Sequence, residues 1–428
     1  MLVELSYGKG LLPVDMPREA AVTIIRKAAM PVIPDAAAAM KAALESPTGS
    51  RPLSELARGK RSACILICDI TRPVPNGMLL PPLVRSLLDA GIPREDIVVL
   101  VATGLHRPNL GAELDELVGD QWVRETVRVE NHDARCDADH VDLGLTPYGT
   151  PVLLDRRFVT ADIRVATGLV EPHFMAGYSG GRKVIAPGIA HAKTITTFHS
   201  HRFMADPAAE NCVLEGNPLH REQLAIVKML GDVLAVNTVI DEHRRLSFVN
   251  FGEIIASHLE AVEFIRSFAR VPVGRRFSTV VTSAAGYPLD KTYYQTVKGM
   301  VAPLGILAPG GNLIIASECS EGMGSPEYVE AQKRLIELGP EGFLREIRAK
   351  RFADIDEWQT QMQLKPMQAG RVHLYAAGLS AADRLLTGVG IIDSVEEAVA
   401  RSVRASGDPH VAVIPEGPYV VPIYGADS

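Results

Sequence analysis

The chain is short of cysteine: five in 428 residues, odd in number and scattered. Such a set builds no disulfide framework and predicts reduced thiols, as in a cytoplasmic protein. Cys64 and Cys68 lie in the apolar run Ala63–Cys68, where residues four apart share one strand face. No second pair accompanies them to complete a tetrahedral metal site, so core packing is expected. No apolar stretch approaches the roughly 20 residues that span a bilayer, and the N-terminus MLVELSYGKGLL has no basic segment leading an apolar one. Positive charge is not in excess either. Lys and Arg number 44 against 51 Asp and Glu, a formal net charge of −7 that offers no footprint for nucleic acid or an anionic membrane. A His-Glu-x-x-His zinc signature and a Walker phosphate loop are both missing.

What is present is an ordinary globular composition, 47% hydrophobic and 22% charged, in a chain too long for a single comfortable core. Short apolar runs alternate with amphipathic stretches: Ser62–Cys68, Met78–Ala90, Asp96–Ala102, Leu110–Leu117. That rhythm reads as strand, helix, strand, helix and predicts an α/β fold with mostly parallel sheets. The pattern breaks at Arg270–Arg276 and restarts with a strand at Ser278–Ser283. Two α/β domains are therefore expected, residues 1–270 carrying the main site and residues 271–415 closing a cleft over it, with the active site in that interdomain cleft. The tail, 416–428, is expected to pack back on the first domain.

The most conspicuous stretch is His173–His201, HFMAGYSGGRKVIAPGIAHAKTITTFHSH, in which four histidines surround a glycine-rich loop. Gly180 and Gly181 permit an anion-binding backbone, and Arg182 and Lys183 add charge. A lysine held there acts covalently if its pKa is lowered. The plain alternative is a surface turn with solvated charges. An internal echo points the same way: Asp96–His106 and Asp162–His173 are both Asp-Ile strands ending in Ala-Thr-Gly-Leu with a histidine beyond. It predicts two imidazoles entering one cleft from neighbouring strand ends. Asp69-Ile-Thr-Arg-Pro follows the first strand and precedes a helix, a position suited to capturing phosphate or carboxylate with Thr71 and Arg72, or to a proline-stiffened turn with Asp69 as a cap. Tyr294 and Lys298 lie four apart on one face of a predicted helix, suited either to a cleft or to a solvated face.

Taken together, these residues resemble the nickel-dependent lactate racemase family along essentially the whole chain. The likeness rests on the Asp-x-Thr-Arg-Pro-x-Pro turn, the Thr-Gly-x-His strand end, the Glu-Pro-His segment, the Gly-Gly-Arg-Lys loop, a His sixteen residues past that Lys, and the Tyr-Gln-x-x-Lys helix. The resemblance implies a nickel pincer nucleotide, a nickel pyridinium-3-thioamide-5-thiocarboxylic acid mononucleotide, tethered to Lys183. His199 would then be the single protein ligand to nickel. His106 and His173 would be the paired acid/base residues. Arg72, Tyr294, Gln295 and Lys298 would hold the substrate carboxylate, with Trp358 near the site. Asp69, Thr71, Gly180, Gly181 and Arg182 would hold the ribose and phosphate.

The implied reaction is racemisation or epimerisation of a 2-hydroxy acid by reversible hydride transfer from Cα, through a 2-keto acid, with cofactor-synthesis enzymes acting in trans. His191 and His201 are left structural. Two other readings stand beside this one: a metal-dependent hydrolase or lyase using His173, His199 and His201 as direct ligands, and a non-catalytic protein that binds or delivers the nucleotide. Leu79, Leu80, Leu83 and residues near Tyr294 are expected to shape the substrate pocket.

Overall fold

The computed structural model describes residues 1–425. It divides into two compact units. The central unit comprises Ala29–Phe198 and Val213–Ser267; the terminal unit comprises Met1–Ala28, His199–Cys212 and the chain from Phe268 onward.

The sheet of the central unit has six strands: β1 (Ala63–Cys68), β2 (Ile97–Ala102), β3 (Arg128–Asn131), β4 (Ile163–Leu169), β5 (Leu234–Ile240) and β6 (Leu246–Glu253), in the order β6-β5-β4-β1-β2-β3. Only the β5–β6 pair is antiparallel. β1 is apolar throughout and buried on both faces, as a central strand of a helix-covered parallel sheet must be. The chain builds outward from β1 to β2 and β3, then returns to the other side of β1 with β4 and β5. The strand order therefore reverses between β1 and β4, and in open α/β sheets ligands collect at the carboxyl ends beside that switch point.

The helix Asn76–Asp89 covers one face of this sheet. Its apolar residues recur every three or four positions, and Leu79, Leu80 and Leu83 are fully buried among Ile65, Ile67 and Val99. The three leucines thus fill the core, which corrects the expectation that they shape a substrate pocket.

The sheet of the terminal unit is parallel throughout, in the order Gly390–Ile391, Arg371–Tyr375, Leu307–Ala316, Phe277–Ser283, His410–Ile414, Ala21–Ile24. Its outermost strand comes from the start of the chain. The preceding hairpin, Leu2–Tyr7 with Gly10–Asp15, buries Val3, Leu5, Val14 and Met16 against Val281, Ile314 and Val399. The division expected at 270/271 is therefore drawn differently, because residues 1–28 satisfy their backbone and bury their apolar face in the terminal unit. Val421–Tyr424 pairs with Arg270–Val273, also in that unit, and not with the sheet of the central unit. Residues 426–428 of the tail lie outside the described residues. Among the described residues no helix is long and apolar enough to cross a membrane.

Candidate active site

Three strand ends of the central unit deliver the candidate residues. β1 ends at Cys68 and hands the chain to Asp69, Thr71 and Arg72; β2 leads through Thr103–Leu105 to His106; β4 leads through Val170 and Glu171 to His173. All three strands are parallel, so these segments leave the sheet at one edge. The two histidine-bearing strands are not neighbours, however. β1 lies between them and contributes a carboxylate.

That carboxylate is committed to His106. Asp69 Oδ2 lies 2.5 Å from His106 Nδ1, and Oδ1 accepts from the Thr71 hydroxyl at 2.6 Å and the Thr71 amide at 3.2 Å. Burial pushes the Asp69 carboxyl upward, but His106, Thr71 and Arg72 outweigh it and hold the group at about 2. An ionised carboxylate only accepts, so His106 donates from Nδ1 and its Nε2 is the acceptor nitrogen of the neutral ring. Both of the Asp69 oxygens are thus engaged within the protein, contacts that the expected ribose role did not include. The local-cap alternative is met within the turn, where the Thr71 amide donates to Asp69 Oδ1, although the following helix has no side-chain cap.

His173 is held the other way round. It sits on a two-residue ribbon, Pro172–His173 against Gly177–Tyr178, and its Nδ1 accepts from the amides of Met175 at 3.3 Å and Ala176 at 3.2 Å. The ring proton is therefore on Nε2. Arg72 Nε lies 3.6 Å from Glu171 Oε1, a partner that the sequence reading missed although Glu171 stands two residues before His173.

The glycine loop lies on β4. Gly180 and Gly181 have φ of 75° and 48°, and a Cβ on Gly168 would come within 3.0 Å of Gly180 Cα, so bare backbone is needed on both sides of the contact. Lys183 follows. Burial, then Arg72 and Arg182, push its amine down to about 7, while Cys68 and Glu171 act in the opposite direction. Arg182 is not offered to an anion. Its guanidinium is turned inward and bonded to His220, His258 and the Ala176 carbonyl, contrary to the expected cofactor-binding role.

In the terminal unit, His199 is buried with its ring 4.8 Å from that of Trp358. Trp358 Nε1 donates to the Tyr294 hydroxyl at 3.3 Å. Tyr294, Gln295 and Lys298 share the less buried face of the helix Tyr293–Val301, while Tyr293, Val297 and Met300 face the core. The helix starts there because the Thr292 side chain caps it on the Gln295 amide. Gln295 Oε1 is a buried acceptor with no hydrogen-bond partner among the described residues.

The remaining conspicuous histidines have other occupations. His191 ends a stack with His140 and His132, edge to face, and Asp155 anchors His132 Nδ1 at 2.9 Å. His201 opens the short helix His201–Met204, where burial lowers its pKa. Among the described residues, no group of three or more His, Cys, Asp or Glu side chains gathers to hold a metal ion. The direct-ligand hydrolase or lyase reading requires such a group.

Comparison with known proteins agrees with this architecture. Residues 7–211 match the lactate racemase N-terminal domain and residues 275–421 the lactate racemase C-terminal domain. The chain is 34% identical to a lactate racemase of Thermoanaerobacterium thermosaccharolyticum over 364 residues, 84% of each chain. It is 32% identical to one of Lactiplantibacillus plantarum over 382 residues, covering 87% of this chain and 88% of that protein. The structure of the lactate racemase apoprotein from T. thermosaccharolyticum superposes with a TM-score of 0.89 at 30% identity, over 99% of this chain and 100% of that one. A Thermotoga maritima protein shares the fold alone, with a TM-score of 0.67 at 18% identity over 87% of this chain and 96% of its own. With both domains matched in order and relatives above 30% identity over most of its length, the chain belongs to the lactate racemase family of isomerases.

Proposed function

We propose that this protein racemises or epimerises a short 2-hydroxy acid such as lactate, with His106 and His173 as its proton-transfer residues. The observation that carries the reading is the pair of imidazoles delivered from one sheet edge in opposite tautomers, His106 fixed by Asp69 and His173 by two backbone amides. His106 Nε2 accepts the hydroxyl proton of one enantiomer, and the imidazolium so formed is stabilised by the Asp69 carboxylate. His173 presents Nε2–H, the donor form. A side-chain imidazole with an ordinary pKa near ~6.5 is matched to such transfers at neutral pH. Arg72 is the central unit's cation for the substrate carboxylate. Gln295, Lys298 and Tyr294, with Trp358 beside them, are the candidates of the terminal unit.

The residues fit the family's nickel pincer nucleotide in two respects. Lys183 is a lysine whose surroundings favour the neutral amine that a covalent tether needs, and His199 is a single buried imidazole, as suits a metal most of whose ligands come from its cofactor. When bound, the group supplies the hydride acceptor that spares the substrate an unstable carbanion. Gly180 and Gly181, with no side chains, would leave room for its phosphate, and the Thr71 hydroxyl would hold its ribose. Cofactor synthesis falls to separate enzymes, and the proposed setting is the cytoplasm.

The test is a panel of single-enantiomer 2-hydroxy acids given to protein produced alongside cofactor synthesis, with optical inversion followed by chiral chromatography. Lactate or a close relative is expected to invert, and His106→Asn and His173→Asn each to lower turnover by about 10²-fold or more. Inversion of no member of the panel overturns the assignment.

A further inference from the structure

Arg182 is 1% exposed, yet its hydrogen-bond partners among the described residues are neutral. Its Nε donates to His220 Nδ1 at 2.8 Å, Nη1 to His258 Nε2 at 2.8 Å and Nη2 to the Ala176 carbonyl at 3.0 Å. The His258 Nε2 also lies 2.8 Å from the Ser179 carbonyl. One nitrogen cannot accept and donate at once; a guanidinium can only donate, so Nε2 is the acceptor and the ring proton is on Nδ1. Burial, followed by the Arg182 charge, pushes His220 down to about 3 and His258 well below its usual range. Both imidazoles therefore remain neutral acceptors.

Burying a cation without a counter-charge is costly, and a chain keeps one only where the charge or the geometry is useful. The geometry is that of a clamp. His220 is on the helix Pro218–Leu230 and His258 on the helix Ile254–Ala269, so two helices grip one loop residue. The loop rests on the same ring: a Cβ on Gly181 would lie 2.8 Å from His258 Cδ2. The residue after the clamp is Lys183. Its amine is faced by Arg182 from its own loop, Arg72 from the turn after β1, Cys68 at the end of β1 and Glu171 after β4.

We propose that Arg182 is a positioning residue: held by His220 and His258, it fixes the Gly180–Lys183 loop and adds its positive charge to the surroundings of the Lys183 amine, which acts as a nucleophile toward an acyl carbon. The inference rests on the tether reading for its purpose. In such a step the nitrogen lone pair forms the N–C bond, the acyl leaving group departs with its electron pair, and the ammonium proton passes to solvent. Arg182 takes no part in the bond changes.

The test uses the full chain purified from a host without cofactor synthesis. It is pulsed with acetic anhydride from pH 5 to pH 11, and acetylation of Lys183 is read by peptide mass spectrometry beside that of exposed Lys41. Lys183 is expected to be half-reactive near pH 7, well below exposed Lys41. Arg182→Gln is expected to move the Lys183 midpoint up by about one unit or more, and Arg182→Lys, which keeps the charge, to leave it low. A wild-type Lys183 that titrates with Lys41 overturns the proposal without any variant. So does a midpoint unmoved in folded Arg182→Gln. A low, Arg182-dependent midpoint with no mass added at Lys183 in cofactor-producing cells keeps the proposal and removes the tether; an adduct on a lysine of ordinary midpoint does the reverse.

Discussion

Replacing Asp69 with Asn leaves His106 without the carboxylate that fixes its Nδ1 proton, so the ring can settle with Nε2 protonated and unable to accept. Turnover is expected to fall about 10²-fold, with KM changing less than kcat, in steady-state assays from either enantiomer. Asp69 also contributes to stability. Its folded value of about 2 lies below the ordinary 3.8, so this contribution is complete above pH about 4 and is lost as the pH falls through about 2. Lys183 acts in the opposite pH range. Between about 7, where the folded chain releases its proton, and 10.5, where the unfolded chain does, the unfolded chain holds the extra proton and stability rises with pH. Urea unfolding at both ends of that interval is expected to show a slope that Lys183→Met removes. Residue identities at this scale were legible, because Asp-x-Thr-Arg, Glu-Pro-His and Gly-Gly-Arg-Lys are contiguous. Their orientations were not. Nothing in the order Gly-Gly-Arg-Lys says that Arg182 turns inward while Lys183 does not, since the acceptors that draw Arg182 in are 38 and 76 residues away.

Among the elements, β1, β2 and β4 were readable as buried strands because parallel strands covered on both faces are apolar without interruption. Leu66 on β1 sits opposite Leu100 of β2 and Ala166 of β4 and is fully buried. Leu66→Ala is expected to cost about 2–5 kcal/mol in chemical denaturation, the usual range for a core cavity. The glycine loop is the other sensitive element. Gly180 has φ of 75°, and an added Cβ would meet Val170 Cγ2 at 2.6 Å. Gly180→Ala should therefore lose about 1–2 kcal/mol from the left-handed backbone alone, together with part of the acylation of Lys183. β6 was missed: its apolar residues run on into the helical pattern of Ile254–Ala269, and its antiparallel partner β5 defines it. The helix Asn76–Asp89 was found, but its leucines were assigned to a pocket, because amphipathic spacing shows that a face is covered without showing by what.

At the scale of the whole molecule, residues 1–28 complete the terminal unit. Their strand Ala21–Ile24 is mostly exposed and gains its place only by pairing with His410–Ile414. Deleting 1–28 uncovers Val281, Ile314 and Val399 and leaves His410–Ile414 as a bare edge, so the truncated chain is expected to melt lower and to aggregate, measurable by calorimetry and light scattering. The sequence by itself determined the α/β class and the alternation of strand and helix, and it carried the ordered motifs that resemble the lactate racemase family, because periodicity and contiguous motifs are local properties of the chain. Only the tertiary structure decided that Asp69 serves His106, that β1 separates the two histidine-bearing strands, that Arg182 is clamped by His220 and His258, and that the first 28 residues join the chain from Phe268 onward in one unit. Each of these depends on hydrogen-bonding and packing partners far apart along the chain, and neither periodicity nor spacing records which distant partner a group will meet.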